Sequence, residues 1–223
     1  MGSVTTMDKK RLIKLLSYFV MGDGGLYKYK NATNAQFIMN MKTENKDYID
    51  FVANTLSTIV HTRQYDRKDY NMDGCNRQPQ IRLESNQHPI LSVLKDRIYT
   101  IDGHKSIDLH ALKLLDWESM AILYMSDGCA YEYKRGTMVT PAVNVTLNMK
   151  RLSEAEQIIL KQAIKDKLGV EFNVNKAGKY YCLRLRTKDI GMFMNNIEPY
   201  ILPSFKYKVI RTKSPINIGD DIV

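Results

Sequence analysis

From Asp8 onward the apolar positions Leu12, Leu15, Leu16, Phe19 and Val20 recur at helical spacing, with Lys9, Lys10 and Lys14 toward the other side. Asp8 is placed to cap such a helix. Further along, the run becomes apolar nearly all round (LLSYFVM), which predicts burial on more than one side. It stops at Asp23-Gly24-Gly25, where two glycines permit a tight exit into a strand. Almost half a chain later the pattern returns. Asp116 opens a second apolar helical run, predicted over 117–127, and the exit is Asp127-Gly128-Cys129.

After each apolar helix the hydrophobic period changes in the same order. In the first half, 26–30 and 35–42 read as strands across the Asn31–Asn34 turn, and 45–59 as an amphipathic helix. Residues 61–67 and 80–85 read as a second strand pair joined by a polar loop. Pro89 then starts a helix with Ile90, Leu91, Leu94 and Ile98 inward. The second half gives strands over 130–135 and 142–150. A helix over 153–168 follows, with a capping-box start at Ser153 and Glu156 and a stop at Gly169. Strands over 170–175 and 180–186 and a helix over 189–197 close the half. The predicted fold class is therefore α+β, two αββαββα units related by duplication. We expect an N-terminal unit over 8–99, a connection over 100–115, and a C-terminal unit over 116–213. Residues 100–114 lack a Gly/Ser linker, so the halves should be tightly coupled.

The strands divide their faces consistently. Val143, Val145, Leu147 and Met149 alternate with Asn144, Thr146, Asn148 and Lys150. Phe37, Met39 and Met41 alternate with Gln36, Ile38, Asn40 and Lys42. Ile81 and Leu83 alternate with Gln80, Arg82 and Glu84; Leu183 and Leu185 alternate with Cys182, Arg184 and Arg186; Arg63, Tyr65 and Arg67 share one face. The apolar faces must cover the amphipathic helices. A polar face alone is ordinary solvation, but here it repeats one palette of Asn, Gln, Thr, Arg, Lys and Tyr. Such side chains pair with base edges and phosphates, and a strand ribbon fits a major groove. The remaining contact candidates are Lys28, Lys30, Arg77, Tyr131, Tyr133, Arg135, Asn173, Asn175 and Lys179.

Charge agrees with this. The formal net charge is +9, from 33 basic against 24 acidic residues, which favours a polyanionic partner. With 44% hydrophobic residues and a mean hydropathy of -0.35, the chain reads as a globular protein with a real core. No 18-residue uncharged apolar stretch occurs, so no membrane span is expected, and the N-terminus lacks a signal-peptide pattern. The cysteines, Cys75, Cys129 and Cys182, form no CxxC pair. Cys129 and Cys182 read as small buried hydrophobes in a reducing compartment. The sequence does not choose between an organelle and a bacterial or phage cytoplasm.

The candidate chemistry sits at the two helix exits. A carboxylate at a helix C-terminus is unfavourable by about 0.3–1 kcal/mol and calls for a compensating cation. If the two apolar helices pack side by side, Asp23 and Asp127 meet at their ends, and a divalent metal would resolve the repulsion. The small residues Ser17, Gly22, Ala121 and Ser126 would allow the approach, with Gly22 and Ser126 beside the metal. Two carboxylates on a basic, strand-lined surface suggest Mg²⁺-assisted phosphodiester hydrolysis, with Mn²⁺ able to substitute. Lys105 and Lys208 each follow the last helix of a unit at nearly the aspartate interval, so both could reach scissile phosphates. His61, His88, His104 and His110 have no repeated partner that would mark a base.

At 16–24 (LSYFVMGDG) and 120–128 (MAILYMSDG) the chain resembles the LAGLIDADG homing endonucleases, in the single-chain form with two motif copies. The tail IEPYILPSFKYKV is similar to that of intron-encoded members. The resemblance implies a pseudo-twofold saddle with the motif helices at the interface and the sheets in the major groove of a long asymmetric DNA site. It implies Mg²⁺-dependent cutting of both strands by a monomer to leave 3′ overhangs. Asp23 and Asp127 take the places of the motif aspartates, and Lys105 and Lys208 those of basic residues near the active centre. Tyr18 and Ile122 stand where the family usually has glycine, so the helices must pack differently in detail. Two alternatives stay open: an intron maturase that binds its host intron RNA, and a non-cleaving DNA-binding regulator. A small-molecule enzyme is disfavoured, since the chain has no phosphate loop, dinucleotide fingerprint or hydrolase triad.

Overall fold

A computed structural model describes residues 8–67, 78–133 and 142–210. The first unit runs α1 (Lys9–Met21), β1 (Gly25–Tyr27), β2 (Gln36–Lys42), α2 (Lys46–Leu56), β3 (Thr62–Arg67), β4 (Gln80–Ser85) and α3 (Pro89–Ile98). A short helix, α4 (Leu109–Lys113), lies in the connection. The second unit runs α5 (Trp117–Asp127), β5 (Gly128–Tyr133), β6 (Ala142–Leu147), α6 (Glu154–Leu168), β7 (Phe172–Ala177), β8 (Tyr180–Leu185) and α7 (Ile190–Ile197). The duplicated α+β architecture is as the periodicity predicts.

Each unit holds a four-stranded antiparallel sheet, in the orders β1-β2-β4-β3 and β5-β6-β8-β7. Phe37, Met39 and Leu83 project from the first sheet into a core shared with Tyr48, Val52, Leu91 and Leu94 of its helices. Val145, Leu147, Leu183 and Phe172 do the same for the second, against Leu160, Ile164 and Phe193. The helices therefore cover one face of each sheet, and the other is left to solvent.

Local signals in the sequence set the helix ends. The Asp8 carboxylate accepts from the Arg11 amide at 3.3 Å. The Ser153–Glu156 capping box is formed in both directions, and Gly169 ends α6 at φ +72°, where a side chain would be strained. Beyond Tyr27 the chain turns early, so Lys28 and Lys30 lie in an exposed loop and not in the strand expected there. A second expectation is overturned: Cys129 is exposed, on the edge strand β5, whereas Cys182, on the inner strand β8, is buried as expected.

The halves meet through α1 and α5. From Leu15 to Val20 every residue of α1 is fully buried, as are Ser119 to Ala121 of α5. At the N-terminal ends, Arg11 and Lys14 pair with Glu118, and Lys14 also pairs with Asp116. The Tyr18 hydroxyl donates to the Ala111 carbonyl at 3.1 Å, tying α4 to the interface. At the C-terminal ends the helices are in tight contact. A Cβ built on Gly22 would lie 2.4 Å from Ser126 Oγ, so glycine is required for this approach.

Candidate nuclease centre and nucleic-acid face

The crossing of α1 and α5 brings the two motif carboxylates into one electrostatic neighbourhood, in unequal surroundings. Asp23 lies just past the end of α1 and is exposed. Asp127 is the last residue of α5, and its side chain is only 17% exposed. Burial lifts the Asp127 carboxyl above its ordinary pKa against the pull of Arg151, and the Asp23 charge adds to the rise. Tyr48 of α2 closes the floor, its hydroxyl 3.3 Å from Ser126 Oγ.

Both repeated lysines arrive at this centre. Lys105 Nζ donates to the carbonyls of Gly22 at 3.0 Å and Gly24 at 2.5 Å. Lys208 Nζ donates to the carbonyls of Met125 at 2.6 Å and Tyr124 at 3.4 Å. Each thus sits at the C-terminal end of its own unit's motif helix, where a cation is favoured. Burial lowers the Lys105 pKa to about 8, with Arg151 adding to the fall and both aspartates opposing it. Burial also lowers that of Lys208, again against both aspartates.

The segments that carry the lysines are strapped across to the opposite unit. Glu156, near the start of α6, accepts from Ser106 Oγ at 2.6 Å and from the Ile107 amide at 3.1 Å. Asp47, near the start of α2, accepts from Ser204 Oγ at 2.6 Å and from the Ser204 amide at 3.0 Å. Each lysine is therefore held between its own motif helix and a helix of the other half.

Arg151 is absent from the residues the sequence singles out. It lies in the turn before α6, and its guanidinium donates to Asp127 at 3.2 Å and to the Gly22 carbonyl at 3.4 Å. The corresponding turn before α2 carries Thr43, so a search for repeated residues passes over it. Only the basic pair Lys150-Arg151 ahead of a capping box hinted at it. Arg151, Lys105 and Lys208 set three cations around two carboxylates, an excess suited to a phosphate.

Among the described residues, no group of three or more His, Cys, Asp or Glu side chains gathers to hold a metal. The donors at the centre are hard oxygens, the two carboxylates with the Gly22 carbonyl beside them. Burial first, and then the Asp23 charge, disfavour the Asp127 anion, and a divalent cation would offset both. The oxygen set fits Mg²⁺, although the Gly22 carbonyl already accepts from Lys105 and Arg151.

The sheet faces away from the helices carry most of the other predicted contacts. In the first sheet, rows of paired residues run Lys42–Gln80–Arg67, Asn40–Arg82–Tyr65 and Ile38–Glu84–Arg63, with Gln36 beside Tyr27. In the second, Thr146, Arg184 and Asn173 form one row, Asn175 pairs with Cys182, and Tyr131 with Asn144. Asn144 shares that face but is only 6% exposed. Asn148 and Lys150 lie past the end of β6; Asn148 Nδ2 donates to Thr146 Oγ1 at 3.3 Å, and Lys150 is exposed. Arg186 forms an ion pair with Glu171, and the Lys179 ammonium lies 5.2 Å from the centre of the Tyr180 ring. Tyr133 ends β5. Arg77 and Arg135 fall outside the described residues. No helix among the described residues is long and apolar enough to cross a membrane.

Two helices ending in paired aspartates, each followed by a saddle-half sheet, define a protein class. The chain belongs to the LAGLIDADG DNA endonuclease family, whose sequence profile matches residues 18–193. Over 213 residues it is 29% identical to a probable intron-encoded endonuclease 1 of Wickerhamomyces canadensis, covering 92% of this chain and 86% of that protein. The fold is similar to that of the homing endonuclease I-WcaI bound to its DNA recognition sequence. There the TM-score is 0.74 at 20% identity, covering 92% of this chain and 88% of the other. It is also similar to the meganuclease I-SmaMI bound to uncleaveable DNA, with a TM-score of 0.57 at 11% identity over 87% and 85% of the two chains.

Proposed function

We propose that this protein is a site-specific double-strand DNA endonuclease that works as a single chain. It lays the polar faces of its two sheets along a long asymmetric duplex site. The observation that carries this reading is the convergence of Asp23 and Asp127 at the helix crossing. Lys105, Lys208 and Arg151 surround them, at the junction of two polar-faced sheets. Asp23 and Asp127 would hold Mg²⁺, with Mn²⁺ able to substitute. When bound, the metal would lower the pKa of a water and neutralise charge developing on the phosphoryl group.

The chain's own residues supply the rest. The aspartates would orient an attacking water, whose oxygen bonds to phosphorus as the bond to the 3′-oxygen breaks and that oxygen takes a proton. Lys105 and Lys208, pinned to the helix ends, would offset charge on the non-bridging oxygens. Arg151 would keep Asp127 ionised against its burial. One aspartate per strand would give a double-strand cut, and the family resemblance implies that it leaves 3′ overhangs.

The test is cleavage of a randomised duplex library with Mg²⁺ and with chelator, followed by assay of the selected site. Asp23→Asn or Asp127→Asn should abolish double-strand cutting while leaving specific binding largely intact. Double-strand cutting retained by either variant would sink the assignment. A wild-type chain that binds its site without cutting it would identify a regulator of the same fold.

A further inference from the structure

On the polar face of the first sheet a carboxylate stands where the second sheet carries an arginine. Glu84 of β4 is in register with Ile38 and Arg63, and the matching row of the second sheet is Thr146–Arg184–Asn173. Glu84 is 7% exposed, covered by the side chains it holds. Its Oε2 accepts from Arg63 Nη2 at 2.7 Å and Nε at 3.2 Å. Its Oε1 accepts from the Tyr65 hydroxyl at 2.7 Å and from Arg82 Nε at 2.7 Å. The Tyr65 hydroxyl first, and then the two guanidinium groups, draw the Glu84 pKa down to about 2, so it is ionised throughout the neutral range.

A fixed negative charge on a face built for a polyanion weakens non-specific attraction. What it gains is order. A guanidinium has five donors, of which Glu84 takes two from Arg63 and one from Arg82, so the outer nitrogens stay available. A side chain already fixed loses less entropy when it pairs with a base, and an ordered arginine fork matches the O6 and N7 acceptors of guanine.

We propose that Glu84 is a specificity-determining positioning residue, pre-ordering Arg63, Arg82 and Tyr65 so that the N-terminal sheet reads guanines in the major groove. This rests on the duplex-DNA reading above. The experiment is selection from a randomised duplex library by wild type, Glu84→Gln and Tyr65→Phe. Affinity for a non-specific duplex and thermal stability are measured alongside.

For Glu84→Gln, non-specific affinity should hold or rise while discrimination at base pairs under the first sheet falls about 5- to 150-fold. Positions under the second sheet should be unaffected. Tyr65→Phe, which leaves both ion pairs in place, should show a smaller loss at the same positions, and decides the matter if the glutamine variant does not fold. Unchanged discrimination, or a uniform loss across both half-sites, overturns the proposal. So does a change confined to one C·G pair with the guanine preferences intact, since Glu84 would then be reading cytosine itself. A wild-type chain that selects no sequence overturns the duplex reading as well, and is thereby distinguished from a failure at Glu84.

Discussion

The close approach of the motif helices at Gly22 and Ser126 yields a prediction with a magnitude. In Gly22→Ala the new methyl group would meet Ser126 Oγ at 2.4 Å and Ser126 Cβ at 3.0 Å, with the Tyr18 carbonyl at 3.3 Å. Ordinary contact begins at 3.4 Å, so the hydroxyl must retreat by about 1 Å or the helices must part. Over-packing of this kind costs about 1–3 kcal/mol. Moving the Ser126 hydroxyl also strains its 3.3 Å contact with Tyr48, adding about 0.5–1.5 kcal/mol. The sum is about 1.5–4.5 kcal/mol, and at about 2–4 °C per kcal/mol for a chain of this size Tm should fall by about 3–18 °C. Because Asp23 and Asp127 each adjoin the contact, cleavage should fall more than stability does. Adding Ser126→Gly removes the obstructing atoms, at about 0.5–1 kcal/mol of helix propensity and the loss of the contact to Tyr48. The double variant should therefore be more stable than the sum of the two single effects predicts. Thermal denaturation of the four proteins of the cycle measures the coupling. An unchanged Tm for Gly22→Ala, or a double variant no better than the sum of the singles, would refute the packing argument.

Two further outcomes follow from the lysines. The folded-state pKa of Lys105 is about 8 against an ordinary 10.5, so its charge at the centre is lost as pH rises through about 8. In the interval above that, the unfolded chain binds a proton the native one lacks, so this group's contribution to stability rises with pH. Cleavage should decline through the same interval while stability does not, and Lys105→Met should flatten that limb of a pH–rate profile. Asp47→Ala releases the Ser204 amide and hydroxyl, and with them the strap that carries Lys208. About 1–3 kcal/mol of stability should be lost, read by denaturant titration. Cleavage should also fall more than site affinity, measured by duplex binding; equal loss in both would remove the positioning role of the strap.

How much of this was legible in the sequence depended on whether the signal was local or repeated. Hydrophobic period and capping residues are local, so the element order, the Asp8 cap, the Ser153–Glu156 box and the Gly169 stop could all be read along the chain. Repetition drew attention to Asp23 with Asp127 and to Lys105 with Lys208, since each residue has a partner at nearly one interval. Helix α4 is five residues long, too short to display a period, and went unseen. Cys129 is exposed on the edge strand β5 and Cys182 buried on the inner strand β8, a difference that arises only from strand order.

The same logic explains why Arg151 and Glu84 were missed as participants. Arg151 exists in one copy, and its counterpart Thr43 carries no charge, so the duplication that found the aspartates hid it. Its presence makes the centre unequal: Asp127 is buried with a guanidinium beside it, whereas Asp23 is exposed. Glu84 was visible as a polar position but not as a hub. Its partners lie on its own strand and on β3, and the Glu84–Arg63–Ile38 row exists only once β2, β4 and β3 pair in that order. A duplicated chain announces what its halves share. The chemistry that distinguishes the two halves of a duplex site must come from residues that are not repeated, and those emerge only from register.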